Sequence, residues 1–202
     1  ANSIKEDIQD IIYNISPDES PFLSSCKKTT AKSTLHEWST DTLRASAANA
    51  HIEGDDTTAS AVSGVTRLNN RTQIFKDAII ISDTDEGLSK IAKNKEMAYQ
   101  ILKAGKTMKL DIEKALFDNN AKVTGSATAA RELAGAPTWL TSNTVKGSGG
   151  ADANGTGSNA RTDGTQTVFT QAKFDTVMQN VWENGGTGSK TAYLSAFNMT
   201  KC

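Results

Sequence analysis

From about Thr84 to Asp118 the apolar positions recur at helical spacing: Leu88, Ile91, Ala98, Leu102, Gly105, Ile112 and Leu116 fall on one side. Seven lysines (Lys90, Lys93, Lys95, Lys103, Lys106, Lys109, Lys114) lie elsewhere on the same stretch. The pattern predicts one uninterrupted helix, about 50 Å long at the α-helical rise. Ser82, Asp83 or Thr84 can cap it, Asp85 and Glu86 suit its first turn, and Asn119-Asn120 serves as its stop. Before it, Ser33–Thr40 and the β-branched run Thr72–Ile81 read as two strands. Some thirty residues separate them, including the Ala-, Ser-, Thr- and Gly-rich segment 45–64, and a loop of that length is functional or disordered. A two-stranded ribbon projecting from the body is the geometry expected.

Residues 1–33 read as an arm, not a domain. An amphipathic turn (Ile4, Ile8, Ile11, Ile12) precedes Ser16-Pro17-Asp18-Glu19, which has capping-box register, and Ser20-Pro21 is expected to stop any longer helix. After Asn120 the texture turns to Gly, Ser, Thr, Asn and Ala, interrupted by a short helix candidate near Ala129–Leu133 and by Pro137-Thr138-Trp139-Leu140. Thr170–Glu183 is an amphipathic helix (Phe174, Val177, Met178, Val181, Trp182) ended by Gly185-Gly186, and Thr191–Ser195 reads as a buried strand. The fold class is therefore α+β.

Composition narrows the function. Only 37% of the 202 residues are hydrophobic and 6% aromatic, so the core is thin for the length. The net charge of −1 conceals a split: residues 1–118 hold 15 of the 22 basic and 18 of the 23 acidic side chains. Neither half has a nucleic-acid footprint. Cys26 and Cys202 are too few for a disulfide framework and, with two histidines, for a metal site, which fits a reducing compartment. No stretch reaches the ~18 apolar residues of a membrane span and no secretion signal is evident; Ala1 reads as the residue after a removed initiator Met.

Catalytic patterns fare poorly. His36 and His51 fall in the expected ribbon, which is expected to offer no shaped pocket. Gly185-Gly186-Thr187-Gly188-Ser189-Lys190-Thr191 suggests a phosphate loop, but Ser189 replaces the glycine before Lys190 and the loop runs from helix to strand. Asp152, Asn154, Thr156, Gly157 and Asp163 match five positions of a calcium loop, with Asp163 where a bidentate Glu belongs and no flanking helices. His51, Glu53, Asp55 and Asp56 read as a solvated acidic tip or a contact for a basic partner rather than a metal site. The helix lysines outnumber Glu96, Asp111 and Glu113; they suit a solvated face with intersubunit pairs, or phosphate contacts. No cofactor and no enzymatic activity are expected.

Several strings carry a family resemblance. Asp10-Ile11-Ile12-Tyr13-Asn14-Ile15-Ser16-Pro17 and Glu19-Ser20-Pro21-Phe22-Leu23 resemble the N-terminal arm of one group of tailed-phage major capsid proteins. His36-Glu37-Trp38-Ser39-Thr40-Asp41 and Ile52-Glu53-Gly54-Asp55 resemble its extended loop. Met97-Ala98-Tyr99-Gln100 and Lys109-Leu110-Asp111-Ile112-Glu113 resemble its spine helix, and Ala136-Pro137-Thr138-Trp139-Leu140 and Asp163-Gly164-Thr165 continue the match. The group belongs to the Hong Kong 97 capsid fold. The resemblance implies an N-arm (1–33), an extended β-loop (34–82), a peripheral domain with spine helix (83–120) and part of an axial domain (121–202), about three-fifths of a subunit. It implies a structural protein that self-assembles through hexamers and pentamers into an icosahedral-type shell around double-stranded DNA. Portal, scaffolding and cement proteins are the implied partners, with non-specific contact to the packaged DNA and no membrane. The implied location is the virion capsid, assembled in the host cytoplasm. A phage appendage or receptor-binding protein, or a cellular nanocompartment shell, are the alternatives. The intersubunit contact candidates are Ile11, Ile12 and Phe22 of the arm, Trp38 of the ribbon, Glu53, Asp55 and Asp56 at its tip, and Lys90, Lys93 and Lys95 of the helix. The arm is expected to make few contacts within its own subunit.

Overall fold

The computed structural model describes residues 19–56, 58–88 and 95–200. The amphipathic turn with Ile11 and Ile12, the Ser16-Pro17 step, Lys90, Lys93 and Cys202 lie outside them. Within them the chain mixes helix and strand: α1 (Pro21–Ser25), β1 (Leu35–Thr40), β2 (Thr66–Arg71), α2 (Asp83–Gly87), α3 (Glu96–Phe117), a 3-10 turn (Ala136–Trp139), α4 (Gln171–Glu183) and α5 (Ala196–Met199).

The long helix is two helices. Ser82 Oγ accepts the Asp85 amide at 3.2 Å and starts α2, whose first turn carries Asp83, Asp85 and Glu86. Leu88 is extended (φ −84°, ψ 151°), as is Lys95 (φ −138°, ψ 130°) ahead of α3. Gly87 supplies a weak helix former at the break. Glu86 also reaches forward to α3, where its Oε2 accepts the Met97 amide at 3.0 Å and satisfies an orphan donor in the first turn. A carboxylate caps the next helix here instead of riding on the side of a continuous one. The 22 residues of α3 span about 33 Å.

The strands form one antiparallel pair with Leu35 opposite Arg71, Trp38 opposite Leu68 and Thr40 opposite Thr66. The second strand is thus six residues upstream of its sequence-derived position, and 72–81 is not strand. A ladder can run only as far as its partner, and β1 begins at Leu35. Past Arg71 the Thr72 amide makes one last bond, to Thr34 O at 3.0 Å, and the chain then turns to other partners: Thr72 O accepts Arg131 Nε at 2.6 Å and the Gln73 side chain accepts the Leu133 amide through Oε1 at 3.1 Å. Without a facing strand the β-branched run has nothing to pair with, and Ile74 and Ile80 are exposed.

Ser20-Pro21 opens a helix, with Ser20 non-helical (φ −127°, ψ 73°) at the N-cap and Pro at N1; the residues before Glu19, where the expected upstream helix would end, lie outside the described residues. Two further readings are corrected. Ala129–Leu133 is not helical; Glu132 bridges to Val123 in antiparallel fashion. Thr191–Ser195 is not a strand, and Tyr193 serves an aromatic cluster instead. The amphipathic helix near 170–183 is present as α4, followed by Gly185 at φ +83°.

Few apolar side chains are enclosed. Ala134 and Ala153 are the buried hydrophobic residues among those described, and the one large side chain fully shielded from water is Thr138, whose Oγ1 donates to Gly135 O at 2.7 Å.

Candidate functional site

The centre of the molecule is held by polar side chains that imitate backbone. Asn70 on β2 pairs reciprocally with Ala134: its Oδ1 accepts the Ala134 amide at 2.9 Å and its Nδ2 donates to Ala134 O at 3.3 Å. Asn119 does the same with Arg161, donating to Arg161 O at 2.8 Å and accepting the Arg161 amide at 2.9 Å. Asn120 Nδ2 donates to Leu133 O at 2.9 Å. A carboxamide has the donor–acceptor pair of a peptide unit, so it can complete a ladder where no strand is available. Lys122 ties these parts together. Its ammonium donates to Asn69 O at 2.8 Å, Asn69 Oδ1 at 2.6 Å and Thr156 O at 2.8 Å, while its amide donates to Gly157 O at 2.8 Å. Desolvation, and then the charge of Arg71, pulls Lys122 below the ordinary lysine pKa. Trp38 of β1 lies over Trp139, ring centroids 5.2 Å apart, and anchors the ribbon on the same hub. Gly157, at φ +68°, makes room for that indole: a Cβ there would come within 2.7 Å of Trp139. Sequence patterning did not single out this hub, although the doublets Asn69-Asn70 and Asn119-Asn120 were visible.

The exterior is different in kind. Every described residue from 41 to 67 is exposed, with Leu43 at 99% and Val62 at 96%. At the loop tip the Asp55 amide donates to Ile52 O at 3.2 Å around Gly54, whose φ of +84° suits the third position of a type II turn. This turn presents Glu53, Asp55 and Asp56 to solvent, with His51 Nδ1 3.6 Å from Asp55 Oδ2. On α3, Met97, Ile101 and Phe117 are exposed and Leu102 is 72% accessible; Lys95 is exposed at its N-terminal end.

The end of the arm is not free. Helix α1 docks on α3 through Glu113, whose Oε1 and Oε2 accept the Phe22 and Leu23 amides at 3.3 and 3.1 Å. Phe22 lies 4.7 Å from Phe117 and edge-on to Tyr193, and Ser25 Oγ and Tyr193 OH are 2.8 Å apart. The expectation of few contacts within the subunit therefore fails for residues 20–25: the amides freed by the Pro21 start need an acceptor, and Glu113 supplies it.

The motifs tested for chemistry do not converge. Asp152 takes hydrogen bonds from Lys146 and from Thr144 Oγ1, and the Lys146 bond first, then Thr144, holds its carboxyl below the ordinary range. Asn154 Oδ1 serves Thr156, and Asp163 faces Arg161 Nε at 3.5 Å, so these oxygens do not meet around an ion. Among the described residues no group of three or more His, Cys, Asp or Glu is arranged to hold a metal, and no helix is long and apolar enough to cross a membrane. Lys190 Nζ bonds Gly188 O in its own exposed loop.

Comparison with known proteins agrees with the resemblance to phage major capsid proteins. The family model described as SU10 major capsid protein matches residues 1–202. The chain is 32% identical over 109 residues to the major capsid protein of Escherichia phage Phieco32, an alignment covering 54% of this chain and 31% of that relative. The chain thus matches about a third of the length of that relative.

Proposed function

This chain belongs to the SU10 major capsid protein family, whose members are structural proteins of the phage shell and not enzymes, and from that premise we propose that it self-assembles into a closed shell around double-stranded DNA. The observation that carries the proposal is surface. Every described residue from 41 to 67 is exposed, and on α3 Ile101 and Leu102 are 56% and 72% accessible. A polypeptide with a polar hub, a bare apolar loop and a bare helix face gains its remaining burial from other copies.

The Hong Kong 97 fold supplies the arrangement: arm 1–33, extended loop 34–82, peripheral domain 83–120 and axial domain from 121, in subunits grouped as hexamers and pentamers. In that arrangement the exposed loop of one subunit lies across the helix of the next. The acidic tip (Glu53, Asp55, Asp56) pairs with the basic helix start (Lys90, Lys93, Lys95). Portal and scaffolding proteins and a cement protein complete the virion capsid, which forms in the host cytoplasm.

Negative-stain microscopy of the purified subunit tests this reading. Closed angular shells are expected. Small discrete oligomers would overturn it in favour of an appendage protein, and shells loaded with a cargo enzyme and lacking a portal would favour a nanocompartment.

A further inference from the structure

The chain contains two Asn-Gly pairs, Asn154-Gly155 and Asn184-Gly185, and the structure treats them oppositely. We infer that Asn154 is a site of spontaneous, self-catalysed deamidation in the folded protein, and that Asn184 is protected from it.

The reaction needs three things: an unengaged backbone N–H on the following residue, a side-chain carbonyl polarised for attack, and no side chain hindering the approach. Glycine meets the last condition at both positions. At Asn154 the other two are met as well. Its Oδ1 accepts the Thr156 amide at 3.0 Å and the Thr156 hydroxyl at 2.7 Å, two donors placed where negative charge develops on that oxygen during attack. No hydrogen bond occupies the Gly155 N–H among the described residues. Asn154 is exposed, so water and hydroxide have access, and its own amide is held by Asn159 Oδ1 at 3.0 Å.

At Asn184 the groups are committed elsewhere. The Gly185 N–H donates to Trp182 O at 3.1 Å at the end of α4, so the attacking nitrogen is engaged. The Asn184 carboxamide is held by its nitrogen rather than its oxygen, donating to Asn143 Oδ1 at 2.9 Å and to Asn180 O at 2.8 Å. Attack there requires both arrangements to be undone first.

The step balances with water as the only co-reactant. The Gly155 nitrogen loses its proton to solvent base and bonds to Cγ of Asn154. The Cγ–Nδ2 bond breaks, and Nδ2 leaves as ammonia after taking a proton from solvent. Water then opens the five-membered imide. Cleavage at Cγ gives aspartate, and cleavage at the backbone carbonyl gives isoaspartate, in which the main chain is one methylene longer. That change falls two and three residues before the Thr156 and Gly157 carbonyls that hold Lys122. Accumulated isoaspartate is therefore aimed at the hub.

The test is incubation of the full chain in mildly alkaline buffer, with and without concentrated urea, followed by tryptic mapping with isoaspartate detection. The two sites fall on separate peptides, 147–161 and 174–190. Because Gly185 must first surrender a hydrogen bond, Asn154 is expected to convert several-fold faster than Asn184 in the native chain, the ratio falling toward unity in urea. Thr156→Val, which removes one donor to Oδ1, is expected to slow the native reaction at Asn154 and leave Asn184 unchanged. Equal native rates, faster conversion of Asn184, or a native Asn154 rate indifferent to Thr156→Val would each overturn the assignment.

Discussion

The hub around Lys122 and the exterior made by the loop and α3 solve opposite problems with opposite materials. In the hub almost nothing apolar is enclosed, yet the side chains of Asn70, Asn119, Asn120 and Lys122 engage backbone groups of Asn69, Leu133, Ala134 and Arg161. On the exterior the apolar groups are plentiful, but Leu43, Val62 and Leu102 have little to lie against. Hydrogen bonds are directional and fix a shape within one chain. Apolar surface is non-directional and rewards whatever covers it. A chain built this way has the geometry of its hub set internally, while its exposed apolar groups remain uncovered by the described residues.

The contrast can be broken most severely at Lys122. Lys122→Met keeps the stem but removes three hydrogen bonds to Asn69 and Thr156, leaving part-buried acceptors unpaired. A loss of about 2–4 kcal/mol is expected, read as a lower urea midpoint for unfolding of the isolated subunit. A change as small as that of a surface substitution would mean that the hub does not hold the subunit together.

The converse substitution sharpens the comparison. Leu102→Ser on the bare face of α3 is expected to alter isolated-subunit stability by no more than about 0.5 kcal/mol. At an intersubunit contact the same change forfeits much of the ~1.5–3 kcal/mol that a buried leucine supplies. Assembly yield by light scattering should therefore fall while the urea midpoint holds.

Glu113 stands between the two regions. Glu113→Ala leaves the Phe22 and Leu23 amides without their acceptors, at a cost of about 1–2 kcal/mol. The expected signature is local: faster hydrogen exchange at those two amides, with the hub unaffected. Uniform acceleration across the chain would mean that α1 is part of the hub's cooperative unit.

Smaller effects are expected at the loop tip. Reversing Glu53, Asp55 and Asp56 to Lys should weaken assembly by ~0.2–1 kcal/mol per exposed pair, multiplied over the copies in a shell, and salt should narrow the difference. Reversal of Lys90, Lys93 and Lys95 to Glu in the same chain should partly restore it. Normal assembly of the tip variant at low salt would show that the pairing does not exist.

The mildest effect is acid sensitivity at Asp152. Its carboxyl is held below the ordinary range by Lys146 and Thr144, so its contribution is present above the unfolded carboxylate pKa. It is lost as pH falls through the lowered value. Asp152→Asn should flatten that acid limb of the stability profile, measured by thermal unfolding across pH.

Periodicity and local stereochemistry were enough for the elements whose causes lie within a few residues. The amphipathic helix near 170–183, the strand ending at Thr40, the exposed loop with its acidic tip and the α+β class follow from spacing and turn residues. So did the family resemblance, carried by strings such as Ala136-Pro137-Thr138-Trp139-Leu140. Tertiary structure decided what depended on a distant partner. The second strand lies where β1 faces it and where Arg131 and Gln73 release it, not where the β-branched residues are densest. The long helix divides because the Glu86 carboxylate caps Met97 eleven residues on. The hub draws its pairs from residues 13 to 64 positions apart, and an asparagine that completes a remote backbone ladder has the same sequence signature as one that ends a helix.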